Sequence, residues 1–265
     1  MDRTEFYRIL EMTQDDGHPH WPSKIPNPEL VKQGKQVIPY LIEALRTEHA
    51  SSAVITLAGI GIDALPALNA EIETTEIRRP VFRSLIYLAH MHKLLNPKIS
   101  FQHLIELVTI DYEITESNFH KRQEKESIQS DAINILGLYN IKEAVPALLE
   151  KLHHHNYLCV CACKALSRIK DPVALEPLVN VLQDEQKFWV PRGAAAIAIG
   201  DFGLLAKHLL PQLERSLHYE IKDSSEKWDE RAKNAVADSI RKITDPNSQS
   251  MLKGKGFKYE MWGIY

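Results

Sequence analysis

Residues 144–203 read AVPALLEKLHHHNYLCVCACKALSRIKDPVALEPLVNVLQDEQKFWVPRGAAAIAIGDFG. Two stretches here follow one pattern: an apolar opening that contains a proline, a polar break, an alanine-rich apolar run and a short turn. The prolines, Pro146 and Pro177, are 31 residues apart, and Leu166 and Ile199 hold matching places 33 residues apart. A period of roughly 30–35 residues built from two apolar-striped helices marks an α-helical solenoid, in which each unit buries its face only against its neighbours.

The same pattern extends in both directions. Upstream, VIPYLI at 37–42 is followed by a small-residue run over 51–60, and ALPAL at 64–68 by a second helix over 80–90. A third pair covers 101–110 and 127–138, separated by a polar insertion whose end extends the second helix backwards. Downstream, a sixth pair covers 205–218 and 226–243. Proline in the first turn of each opening helix is tolerated because its missing N–H would be unpaired there anyway. Asp63, Asp171, Asp201 and Asp245 fall at the ends of second helices and are expected to cap the next helix or close the turn.

Residues 2–14 form an expected short helix with Phe6, Ile9, Leu10 and Thr13 on one side, a cap for the open end of the first repeat. The proline-rich run that follows, to Pro28, cannot be helical and is expected to be a strap anchored by Trp21. The expected fold is therefore all-α, a right-handed superhelical α-solenoid of about six helix pairs with an N-terminal capping helix. Its expected organisation is a single domain over 1–250, with cap and strap in 1–35, repeats over about 36–246, and a non-helical tail over 247–265.

The second helices align on Leu57, Leu85, Leu136, Leu166, Ile199 and Ile240. Four residues earlier stand Ala53, Val81, Ala132, Ala162, Ala195 and Val236, the small apolar column that a close helix–helix seam requires. Seven residues earlier stand Ala50, Arg78, Gln129, Cys159, Arg192 and Lys233. Two readings of this column are open: hydrogen bonding between helices, or a ladder that binds a partner on the surface the second helices present.

The segments VPALLEKL, ACKALSRIKDPVALEPLVNVL, VPRGAAAIAIGDFG and SIRKITDP resemble the HEAT repeat family, and more closely its bacterial phycobilisome-lyase-like branch. The resemblance covers about residues 36–246. It implies a helix-pair solenoid, and a range of roles from protein-binding scaffolds and regulators to bilin-handling lyase subunits and nucleic-acid repair enzymes. The long third and sixth repeats and the proline-rich strap depart from the family pattern.

Composition narrows the roles. The chain has 265 residues, 44% hydrophobic and 25% charged, with a formal net charge of −3, which argues against a protein living on phosphate-backbone attraction. Cys159, Cys161 and Cys163 are the only cysteines and share one predicted helix, an arrangement expected of a reducing, cytoplasmic compartment. The opening MDRTEFYRIL lacks the layout of a signal peptide, and no long uninterrupted apolar run leads us to expect a membrane span.

His153, His154 and His155 precede the cysteines, and His155, Cys159 and Cys163 are weak candidates for a metal. Against them, Cys161 and Cys163 take places filled by small or apolar residues in other repeats, which reads as core packing. The histidines are expected to end the first helix of their repeat.

Tyr157, Trp189 and Trp228 start or nearly start successive second helices, and with Arg192 and Arg231 suggest an aromatic and basic rim. Arg78, Arg79 and Lys233 complete the candidate partner-binding set. No Gly-rich phosphate loop, nucleophile elbow or H-E-x-x-H motif occurs. The expected role is a non-enzymatic protein-binding scaffold or adaptor that uses the solenoid's concave surface and needs no cofactor. The alternatives are a chromophore lyase-like subunit or a nucleic-acid-binding or base-repair protein.

Overall fold

Each opening helix is short, so its stability comes from the longer helix that follows and packs against it. The computed structural model describes residues 2–12, 25–74, 78–93, 100–111, 118–154, 157–218 and 226–245, with backbone alone for 226–230. All regular elements among the described residues are helical. The chain divides into two compact units, residues 1–106 and 107–265.

Unit 1 opens with α1 (Arg3–Glu11), capped by Asp2 and burying Phe6, Ile9 and Leu10. It packs on α2 (Pro28–Gln33) and α4 (Ala50–Ile60), the placement expected of a cap. Asn27 joins the first two helices. Its Oδ1 accepts from the N–H groups of Glu29 and Leu30 while its Nδ2 donates to the Ile9 carbonyl at 2.8 Å. Two helix pairs follow: α3 (Ile38–Ala44) with α4, then α5 (Leu65–Ala70) with α6 (Arg78–His92). Pro39 and Pro66 sit in the first turns of α3 and α5. The second helices α4 and α6 pack on each other. Thr13, Trp21 and most of the proline-rich strap lie outside the described residues, as does the tail from 246 on.

The third pair begins with α7 (Gln102–Thr109), whose end belongs to unit 2. Its second helix, α8 (Phe119–Leu138), starts eight residues before 127, the backward extension into the polar insertion that the sequence leads us to expect. Three further pairs follow: α9 (Val145–Lys151) with α10 (Tyr157–Ile169), α11 (Leu175–Gln183) with α12 (Trp189–Asp201), and α13 (Leu210–Ser216) with α14 (Glu226–Thr244). Second helices stack in series, α8 on α10, α10 on α12, and α12 on α14. This is the helix-pair repeat architecture the sequence period predicts.

The seams between second helices are tight. A Cβ at Gly137 of α8 would lie 2.7 Å from the Ala165 Cα of α10, and one at Gly200 of α12 would lie 2.8 Å from the Ser239 Cα of α14. Glycine at these places lets backbone approach backbone. Ser239 reinforces the second seam by donating its hydroxyl across it to the Ala196 carbonyl at 2.7 Å. The packing encloses two helices on every side: residues 158–167 of α10 and 191–200 of α12 are all buried.

Every second helix from α4 to α12 ends on a residue of positive φ: Gly61, Lys93, Asn140, Lys170 and Gly203. A left-handed residue just past a helix turns the chain and lets the last carbonyls find donors. The Ile141 N–H closes onto the Leu136 carbonyl at 3.0 Å in this way. Of the aspartates expected at these turns, Asp171 caps the turn after α10 by accepting from the Val173 N–H. Asp201 departs from the expectation: it pairs with Lys242 of α14 at 2.9 Å, because the adjacent helix presents a cation to it. Asp63 pairs with Lys35.

The stretch Ala50–Ala70 is long and apolar enough to cross a membrane, but it is α4, a turn and α5, mostly buried within unit 1. The bent pair Trp189–Asp201 and Gly203–Ser216 passes the same test only if a 118° break is ignored.

Because backbone atoms meet the missing side chain, Gly137→Ala and Gly200→Ala should each lower unfolding free energy by about 1–3 kcal/mol. Urea unfolding of each variant checks this, and an unchanged midpoint would show that the seams yield.

Candidate functional site

The last carbonyls of an α-helix have no partner within it. In this chain four of the six residues in the column seven before the alignment leucines and isoleucines donate to carbonyls at or just past the end of the preceding helix. Arg78 at the start of α6 donates from Nε to the Ile72 carbonyl at 3.0 Å and from Nη2 to the Glu73 carbonyl at 3.2 Å, just past α5. Gln129 of α8 donates from Nε2 to the carbonyls of Leu107 and Ile110 at 2.8 and 2.7 Å, at the end of α7. Cys159 of α10 offers its thiol to the Leu152 carbonyl at 3.3 Å, past the end of α9. Arg192 of α12 donates from Nε to the Leu182 carbonyl of α11 at 2.9 Å. Four residues of three side-chain types thus do one job, and Arg192, only 6% exposed, faces the helix pair.

A second set of donors reaches the same helix ends from the next repeat. Lys151, at the end of α9, is buried and donates to the Ile110 carbonyl at 2.9 Å. Lys187, just before α12, is buried and donates to the carbonyls of His153 and His154 at 3.2 and 2.9 Å. The two histidines follow α9 as expected, with their backbone rather than their rings meeting the cation. Sequence alone gave no sign of these two lysines, since neither falls on a repeating column.

The cysteines are all free and buried. Burial pushes the Cys161 thiol up to about 12 and raises Cys163 well above the ordinary thiol range. His155 lies outside the described residues. Among the described residues no group of three or more His, Cys, Asp or Glu side chains is arranged to hold a metal ion.

Two of the three aromatic residues expected on a rim are described in full, both in unit 2. Tyr157 and Trp189 are the first residues of the adjacent helices α10 and α12, and Phe119 takes the same place in α8. Phe188, which precedes α12, is 68% exposed, Phe119 55% and Tyr157 38%, while Trp189 is half-buried. The Tyr157 hydroxyl engages Cys161 one turn on, and burial together with that neighbour raises its pKa. Arg122 lies over the Phe119 ring at 5.6 Å. Phe119 lay outside the sequence alignment because α8 begins two turns earlier than the repeat pattern predicts. The Lys187 bonds place the loop before α12 beside the loop before α10, so Phe188 and Tyr157 share one edge of the unit.

The remaining candidates lie in other elements. Arg79 is exposed in unit 1, next to Arg78. Trp228 lies in α14, where only the backbone is described. Arg231 and Lys233 of α14 are half-buried.

The helix pairs, their stacked second helices and their internally capped ends define an all-α repeat protein of the HEAT-like kind. A family model described as HEAT repeats matches residues 120–200, from α8 through α12. No curated protein matches the chain.

Two outcomes follow from this chemistry. Arg192→Met should leave the Leu182 carbonyl without its donor and lower stability by about 1–3 kcal/mol. A lowered urea midpoint confirms the capping role, whereas an unchanged midpoint would show that the arginine does not support the fold. The second concerns alkali. The Cys161 thiol ionises near its ordinary value of 9.0 when unfolded and near 12 when folded. Above the lower value the folded state holds more protons, so stability is lost as pH rises between the two, by about 1.4 kcal/mol per pH unit for one thiol. Cys161→Ala should flatten the slope of unfolding free energy against pH by that amount.

Proposed function

We propose that the chain is a non-enzymatic protein-binding scaffold, and that its partner docks on the edge of unit 2 formed by the loops before α10 and α12. Phe188 carries this proposal: a phenylalanine 68% exposed, beside exposed Tyr157 and half-buried Trp189. Large rings at the centre of a contact contribute most of the binding energy in protein interfaces, and a cluster left in water marks such a site. The surface of the second helices is a poorer candidate here. In α10 and α12 ten successive residues are buried, and Arg192 is used within its own helix pair. HEAT-like helix-pair folds typically serve as protein-binding scaffolds, which supports the same conclusion. The three free thiols support a reducing compartment, the cytoplasm in our reading.

The test is site-specific cross-linking of the full chain in its own cells. A photoreactive phenylalanine analogue at position 188 should capture one protein species, and Tyr157→Ala should reduce the yield. The same analogue at Val173, exposed on the turn after α10, should capture none. A pigment or nucleic acid cross-linked at 188, or equal capture from both positions, would overturn the scaffold proposal.

A further inference from the structure

Beside the aromatic edge, between the first helices α9 and α11, lies a cavity of about 280 Å³. Pockets that enclose whole small-molecule ligands span roughly 300–1,000 Å³, so this one matches a single long side chain better than a metabolite. Its apolar wall is Leu149, Leu152, Pro177 and Val181. The polar lining is Glu150, His153, Asn180, Asp184 and Lys187.

The charges facing an occupant are unequal. The Lys187 side chain is 4% exposed, and its ammonium is held by the His153 and His154 carbonyls, with Asp184 Oδ2 4.0 Å away. Asp184 keeps 34% of its side chain exposed while its Oδ1 accepts from the Gln186 N–H at 3.0 Å. Glu150 is exposed. The lysine is thus directed inward to backbone, and the charged groups left accessible to an incoming side chain are two carboxylates, with exposed His153 and Asn180 beside them, above an aliphatic wall. Methylenes against apolar residues with a cationic head at the water boundary is how lysine and arginine pack. Carboxylates there favour that head by charge, and arginine's planar fork adds paired hydrogen bonds.

We propose that this cavity receives an arginine or lysine side chain from the docked protein partner, so that the partner's contact segment is basic. The proposal rests on the edge beside Phe188 being the docking surface. The partner's backbone would cross the exposed ring while one basic side chain enters between α9 and α11.

Methyl NMR of the full chain tests the cavity without the partner. The probes are N-acetyl-arginine amide, N-acetyl-leucine amide and N-acetyl-glutamate. The arginine probe should shift the Val181 and Leu149 methyl signals saturably and more tightly than the other two. Glu150→Gln with Asp184→Asn should weaken it about fivefold, the scale of partly exposed ion pairs. Both substitutions lie at the surface, and circular dichroism of the double variant confirms its fold. Equal binding of the leucine probe, an unchanged affinity in the double variant, or no shift at these methyls would overturn the proposal. Cross-linking at 188 reports separately: a protein captured equally by wild type and double variant would leave the docking edge standing and remove the basic side chain from the cavity.

Discussion

Short first helices oblige the fold to find donors for their last carbonyls. A helix of six to nine residues is mostly ends, and its unpaired groups are a large share of its backbone. Here, in four of the pairs, the partner is a side chain of the following helix, whether arginine, glutamine or cysteine. Arginine reaches two carbonyls past α5, glutamine reaches three around the end of α7, and cysteine meets the single carbonyl of Leu152. Once these carbonyls are met, the pair can be buried, and burial supplies the stacking energy that holds each unit together.

The repeat was plain in the chain because its cause is periodic. Stacking needs a small residue at one place in every second helix, and the alanine and valine column shows that need directly. Proline in the opening turn marks a boundary for an equally local reason. The start of α8 was harder to see: its first two turns are polar, and nothing in FHKRQEKE separates a solvated helix from a loop. The donor column was visible as a column, but its direction was not. A polar residue on a helix is compatible with facing outward or inward, and only the position of the preceding helix end decides. Lys151 and Lys187 were hidden for a related reason, since they bond to backbone carbonyls of another repeat and leave no complementary side chain in the sequence.

The same division separates structure from recognition in unit 2. Polar groups that looked available, Arg192 above all, are enclosed and support the fold, whereas the residues left in water include several large apolar ones. Phe188 follows a buried lysine that anchors its loop, so the ring is held on a rigid base rather than on a free tip. A rigid aromatic loses little freedom when it is covered, which favours it as a contact residue. The cavity beside it lies between two neighbouring first helices, α9 and α11, whose side chains do not fill the space they line.

Lys151 and Lys187 also give the array a direction in time. Each bonds to carbonyls just past a helix that precedes it in the chain, from the following repeat. During synthesis the turn that follows α9 therefore emerges with the His153 and His154 carbonyls lacking this donor, and stays so until the ribosome has delivered another thirty or so residues. Maturation runs one repeat behind translation. A nascent chain paused between α9 and α12 would present a loosely held end for as long as the pause lasts.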